Sequence, residues 1–314
     1  MSDSVKASVC ISLAAYVEKQ AKRFSSNLEK VVASGDVDGV HDVRVASRRL
    51  VQPLRLMSAW LGGKPIKRPA GLLRATRQTL AKVRDLDVLL ASLCGSEATW
   101  AHGLEPSDLA RLEGALTRRR QRLAKKAINR LARQKPQRAA GLIWRLSDKM
   151  LDVVDEESDL VLAHQVERLF EKSLERLVHR DPRGDQKHDL HETRICVKRA
   201  RYAGELMRDV GLRRETDLFK ALVGMQDRLG RWNDQLIAIS YVTREARRPK
   251  VLAEDAAWSA RVLSLAADWA KEADAGQRRI LDVWAEFDTA LRACFNRYRD
   301  RAQSIRAPGN IHVS

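Results

Sequence analysis

The sequence predicts an all-α fold, and three observations carry that expectation. The chain is rich in Ala, Leu, Arg, Glu and Lys, with only 8 Pro and 5% aromatics, a composition that favours helix. The period-2 alternation of Val, Ile and Thr expected of strands is hard to find. Between residues 37 and 61, Val43, Leu50, Leu54, Met57 and Leu61 fall on one side of a helical wheel, opposite a cationic side, so one stripe can enter a core.

The elements follow in order. Ser4 can cap a first helix to about Ser34, closed by Gly35-Asp36. A second runs from about Val37 to Trp60, with Pro53 placed to kink or split it. Gly62-Gly63-Lys64-Pro65 breaks the chain. A third helix is expected from about Pro69 to Leu93 and a fourth from about Ser107 to Gln134, with Ser107 as its cap. A shorter helix, Arg138 to Val154, leads to the acidic stretch Asp152 to Asp159, the clearest break in a basic chain. Residues 1–155 are read as one helical repeat and 156–302 as a second. The second opens with a helix from about Asp159 to His179, then the loop Asp181 to Asp185. A helix from about Lys187 to Asp209 and a long one from about Glu215 to Arg247 follow, the latter broken by Pro249. Two amphipathic helices, about Val251 to Asp274 and Gln277 to Arg301, complete it. Residues 303–314, with Pro308-Gly309-Asn310, read as a disordered tail.

Within the two repeats one motif occurs twice. His41, Arg44, Arg48 and Arg49 recur 150 positions later as His191, Arg194, Lys198 and Arg199. At about 100° per residue, His41, Arg44, Arg48 and Arg55 share a sector of roughly 60° and extend over about 21 Å of helix. This is a rack of donors suited to an extended polyanion. The second copy keeps His191, Arg194 and Lys198 on one face, with Ala200, Gly204 and Met207 opposite, and sets Glu205 where the first has Arg55. A second motif repeats as well: Leu80-Ala81-Lys82-Val83-Arg84-Asp85 aligns with Leu229-Gly230-Arg231-Trp232-Asn233-Asp234. The interval from the motif His to the motif Asp is 44 residues in the first copy and 43 in the second. Duplication of a helical unit is the economical explanation.

The pattern H-x-x-R-[VI]-x-x-[RK]-R, followed some 40 residues later by L-[GA]-x-x-[RN]-D, resembles the CHAD (conserved histidine α-helical) domain. The resemblance covers nearly the whole chain and both repeats. It implies two antiparallel four-helix bundles related by a pseudo-twofold axis, with basic residues lining a central channel. It also implies binding of inorganic polyphosphate and, for some members, association with polyphosphate or polyhydroxyalkanoate granules. Many members carry a triphosphatase-like CYTH domain. Its strand motifs are absent here, so the resemblance is to a stand-alone member.

The residues fit that chemistry. Net charge is +17 and the pI near 10.1, which implies a polyanionic partner: nucleic acid, an anionic membrane surface or polyphosphate. Arg and Lys neutralise phosphate charge, and Arg adds bidentate geometry. A polyanion beside His41 and His191, whose ordinary pKa is about 6.5, favours the imidazolium and strengthens binding as pH falls. The competing reading makes each His a structural hydrogen-bond donor between helices, and the repetition weighs against it. Arg201 continues the second motif. Arg74, Arg77, Lys82 and Arg231 either extend the basic channel or serve as solvated surface charge. Arg49 and Arg199 lie about 80° round from their His, where they can bind ligand or pair with carboxylates. Asp85 and Asp234 are the candidates for those structural ion pairs. The densest basic run, Arg118 to Arg133, is a second anion surface or a nucleic-acid surface by accident of charge.

Other classes find less support. His188 and His191 have a metal-pair spacing, but the first copy has Asp38 at the matching position and no third ligand is evident, so neither metal nor cofactor is expected. No P-loop, dinucleotide turn, nucleophile elbow or Cys nucleophile appears, so no enzyme is expected. A phosphoanhydride hydrolase would need clustered carboxylates for Mg²⁺. Nucleic-acid binding stays as the alternative on charge alone, without a helix-turn-helix, zinc finger or stacking platform. Cys10, Cys94, Cys196 and Cys294 form no close pair, which fits a reducing cytoplasm. No signal peptide or apolar run of about 18 residues is seen, so membrane insertion is not expected. Most of the seven tryptophans read as core.

Overall fold

The computed structural model describes residues 8–61, 64–94, 103–152, 155–180, 182, 186–212 and 216–306. Among them are thirteen α-helices and no strand, as the composition requires. They are α1 (Val9–Ser34), α2 (Val37–Arg49), α3 (Val51–Leu61), α4 (Lys64–Thr79), α5 (Ala81–Cys94), α6 (Pro106–Gln134) and α7 (Arg138–Leu151). Then follow α8 (Glu156–Val178), α9 (Gln186–Asp209), α10 (Thr216–Ala246), α11 (Pro249–Glu254), α12 (Ala256–Asp282) and α13 (Trp284–Arg306).

Several boundaries differ from expectation for local reasons. Pro53 splits the second expected helix rather than kinking it. Pro53 has no N–H to give the Arg49 carbonyl, and the split falls at Leu50, between α2 and α3. The third expected helix is two, α4 and α5, separated at Leu80, and α4 begins five residues before Pro69 and runs through it. The fourth begins at Pro106 with Glu105, not Ser107, at the cap position, because Pro is well tolerated at the first helical position. Residues 251–254 belong to the short α11, and α12 runs unbroken through Gly276 and Gln277. Helix α13 continues to Arg306. The expected cap Ser4, the Gly62-Gly63 break, Trp100, most of the 181–185 loop and the tail from 307 lie outside the described residues, as does the His188 side chain.

The chain forms two compact units. One comprises Cys10–Val154 with Arg231–Gly276, and the other Asp155–Gly230 with Gln277–Ser314 and the first nine residues. In the first unit α4 packs against α2, α3, α6 and α7, and α5 against α6 and α2. Its core includes Leu86, Leu89 and Leu93 of α5, Leu112 and Leu116 of α6, and Trp258, Val262 and Trp269 of α12. Arg261 of α12 grips the Asp108 carboxylate through Nε and Nη2, and the Trp258 indole N–H faces the Asp108 carbonyl at 3.4 Å. In the second unit α8 packs on α9 and α13. Phe170 and Tyr298 meet edge to face at 5.5 Å. Gly204 suits the close approach of α9 to α8, because a Cβ there would stand 3.1 Å from the Phe170 ring.

Trp232, Trp258, Trp269 and Trp284 are buried as expected, but Trp144 is 42% exposed. On the α7 wheel it flanks the buried stripe that contains Ala140, Ile143 and Met150.

Candidate polyanion site

Helix α2 starts where Asp36 caps it, its carboxylate accepting the Gly39 N–H. Gly39 is buried there, and a Cβ would come within 2.9 Å of that same carboxylate and 3.1 Å of the Asn27 carbonyl. Asp38 in the first turn and Arg48 and Arg49 in the last suit the helix macrodipole at both ends. Val43, Leu50, Leu54 and Met57 are buried, and Leu61 is half-buried. The apolar stripe therefore turns inward, while His41 is exposed and Arg44, Arg48 and Arg49 are half-buried. Arg55, on α3, is exposed.

A reciprocal clasp joins α2 to α4. Arg44 Nη1 donates to the Arg77 carbonyl at 2.6 Å, and Arg77 Nη1 donates to the Ser47 carbonyl at 2.8 Å. Each guanidinium gives one N–H to a main-chain oxygen of the facing helix. The charges around Arg44 are mostly of its own sign. Its burial, the Arg48, Arg77 and Arg84 charges, and only Asp85 in opposition bring it down to about 10. His41 is likewise held below its ordinary value, first by partial burial and then by Arg84 and Arg48, with Asp42 and Asp38 opposing.

Arg84 is therefore part of the cluster, although the sequence reading favoured its neighbour Lys82. Lys82 is exposed and Arg84 half-buried, and the signal was available in the [RN]-D step of the second motif. Asp85 bears electrostatically on Arg44. Arg74 is exposed. Thus α2, α4 and α5 gather His41, Arg44, Arg48, Arg77 and Arg84 in one unit.

Two cations of the dense α6 run serve the interior. Arg120 donates through Nε to buried Asp87 at 2.8 Å and through Nη2 to the Gly35 carbonyl at 2.7 Å. It thereby ties the end of α1, where Gly35 has φ +67°, to α5. Burial lifts the Asp87 carboxyl above its ordinary value in spite of Arg120. Arg119 lies 3.8 Å from the buried Glu245 carboxylate and over the Tyr241 ring. Arg118, Arg122, Lys125, Lys126, Arg130 and Arg133 are exposed.

In the second unit, α9 repeats the burial pattern of α2. From His191 to Ala200 the sequence of exposed, half-buried and buried positions matches His41 to Leu50, except that Arg199 is exposed where Arg49 is half-buried. Glu205, expected to interrupt this rack, is buried and holds Arg201 through Nε and Nη2 at 3.0 and 2.8 Å. Arg201 thus spends two donors inside the protein. The other members of the repeated Asp motif lie in the first unit, where Arg231 is exposed and Asp234 accepts from the Asn233 amide at 3.3 Å. Among the described residues, no three His, Cys, Asp or Glu side chains are placed to hold a metal ion.

The CHAD domain family model matches residues 15–243. The chain belongs to the CHAD family. Its fold is similar to the crystal structure of the CHAD domain from the plant Ricinus communis, with 25% identity and a TM-score of 0.66 over 90% of this chain and 94% of that one. It is similar also to PptA from Streptomyces chartreusis, with 19% identity and a TM-score of 0.57 over 88% and 99% of the two chains. No curated protein matches it. No helix among the described residues of this CHAD protein is long and apolar enough to cross a membrane.

Proposed function

We propose that this CHAD protein binds inorganic polyphosphate without chemical turnover, through the racks headed by His41 and His191, and that each rack belongs to one of two repeats meeting near residue 155. The observation that carries the reading is the crowding of Arg44. Burial first, then the charges of Arg48, Arg77 and Arg84, bring it to about 10, with Asp85 opposing. A cluster so loaded with like charge gains from an anion, and a linear polyanion satisfies several members at once. Family membership supports the same ligand. A granule surface is the natural setting for such binding, inside a reducing cytoplasm.

The test is a titration with polyphosphates of rising chain length. Affinity should rise with length and fall steeply with salt, as counterion release demands. Long chains that bind no better than orthophosphate at moderate salt would refute the reading.

The exposed cations of α6, from Arg118 to Arg133, favour nucleic acid as a second reading. Nucleic acid that displaces polyphosphate at equal phosphate concentration would establish it. Release of orthophosphate by the pure protein with Mg²⁺ would instead make the protein an enzyme.

A further inference from the structure

Helix α4 carries two basic faces. Arg77 reaches α2, whereas Arg68 lies nine residues earlier, about 180° round the helix at 100° per residue. On that other side, Arg68 lines a concavity of about 280 Å³ together with Arg138, Gly141, Leu142 and Arg145 of α7. Arg138 and Arg145 are seven residues apart and so project from nearly the same face of α7. All three arginines are exposed. Among the described residues none of them has a carboxylate within ion-pair distance, in contrast to Arg111, Arg120 and Arg261 of the same unit.

The backbone adds to the imbalance. Neither α4 nor α7 has an acidic residue in its first turn, and Arg138 opens α7 with no side-chain cap before it. A cation at a helix N-terminus opposes the macrodipole, and a bound anion there is favoured. Gly141 leaves the floor open, since a Cβ at that position would meet nothing within 4 Å. The volume is close to the lower end of small-molecule sites, about 300–1,000 Å³, which suits a compact ion better than a nucleotide.

We infer that Arg68, Arg138 and Arg145 form a second anion site, separate from the motif racks, which takes a small phosphoryl anion of pyrophosphate size. Three arginines lining one concavity supply planar donor forks that suit the oxygens of linked phosphates. The same chemistry is offered by free pyrophosphate and by a segment of a longer polyphosphate chain.

Arginine-directed modification with phenylglyoxal, read residue by residue by mass spectrometry on the full-length protein, separates the outcomes. Saturating inorganic pyrophosphate should slow modification of Arg68, Arg138 and Arg145 at least tenfold, while Arg122 on α6 changes little. The protection should survive in the Arg44→Gln/Arg48→Gln variant, so that failure of the racks to bind polyphosphate leaves this result standing. Protection by pyrophosphate assigns the site to the free ion, and protection by long chains alone assigns it to a chain segment. Modification of the three at an unchanged rate with both ligands, or equal protection at Arg122, overturns the inference. In parallel, Arg138→Gln/Arg145→Gln should weaken pyrophosphate binding in calorimetry at least tenfold with an unchanged circular dichroism spectrum.

Discussion

Replacing Arg44 by Met tests whether the motif is held for ligand or for stability. The guanidinium is brought from its ordinary value to about 10 by burial and by Arg48, Arg77 and Arg84. At about 1.4 kcal/mol per pKa unit, the charged form costs the free protein roughly 3 kcal/mol. Against this stands the charge-assisted bond to the Arg77 carbonyl, worth about 1.5–3 kcal/mol. The two nearly cancel, and Met keeps much of the apolar stem in place. Arg44→Met should therefore leave the unliganded melting temperature unchanged within about 5 °C, or raise it, at ~2–4 °C per kcal/mol. The same variant should lose at least tenfold in affinity for long-chain polyphosphate, because one charged contact is gone. Its ligand-induced rise in melting temperature should shrink accordingly. Scanning calorimetry with and without polyphosphate reads both quantities. A fall of more than about 10 °C without ligand would show that Arg44 is a structural strut and that the crowding argument is wrong.

Other outcomes follow from the same geometry. Asp87→Ala should destabilise the first unit by about 3–5 kcal/mol, because it orphans Arg120 inside the protein. Asp87→Leu with Arg120→Met should cost less than the single change, and chemical denaturation that ranks them the other way contradicts this. Since the raised carboxyl of Asp87 favours its neutral form, its contribution to stability is full below the ordinary aspartate pKa and is lost as pH rises through the raised value. His41 has the opposite sign in kind: its lowered pKa adds stability above the ordinary histidine value that is lost as pH falls through the folded one. Polyphosphate should reverse that loss, with proton uptake on binding at pH near and below the ordinary histidine value. Calorimetry in buffers of different ionisation enthalpy should show the uptake, and His41→Gln should diminish it. Gly39→Ala should lower the melting temperature measurably, by pushing its methyl against the Asp36 cap and the Asn27 carbonyl.

The helical class and both motifs were legible because each rests on periodicity, which a sequence displays directly. The inward stripe of Val43, Leu50, Leu54 and Met57 and the outward His41 follow from the 3.6-residue turn alone. Helix ends were less legible where two rules compete. Pro69 suggested a start, yet α4 begins at Lys64 and absorbs the proline. Which charges pair inside the protein was not legible. Glu205 read as a charge in the rack because it takes the place of Arg55, but the residue is buried and pairs four positions back along the same helix with Arg201. Arg84 and Lys82 are two residues apart with equal charge, and only packing decides that Arg84 joins the cluster. The Arg68, Arg138 and Arg145 concavity joins segments some 70 residues apart, beyond the reach of any local pattern.

The clasp between α2 and α4 has a consequence for the thermodynamics of binding. A solvated arginine carries about 2 kcal/mol of rotamer entropy, which a ligand must suppress before its forks are useful. Arg44 and Arg77 have surrendered that freedom at folding, each anchored to a main-chain oxygen. Such an acceptor cannot be protonated in the working pH range or deleted by changing the side chain that follows it. The pair is therefore preorganised, and its share of polyphosphate affinity should be enthalpic and slow to dissociate, in contrast to the loosely tethered cations along α6.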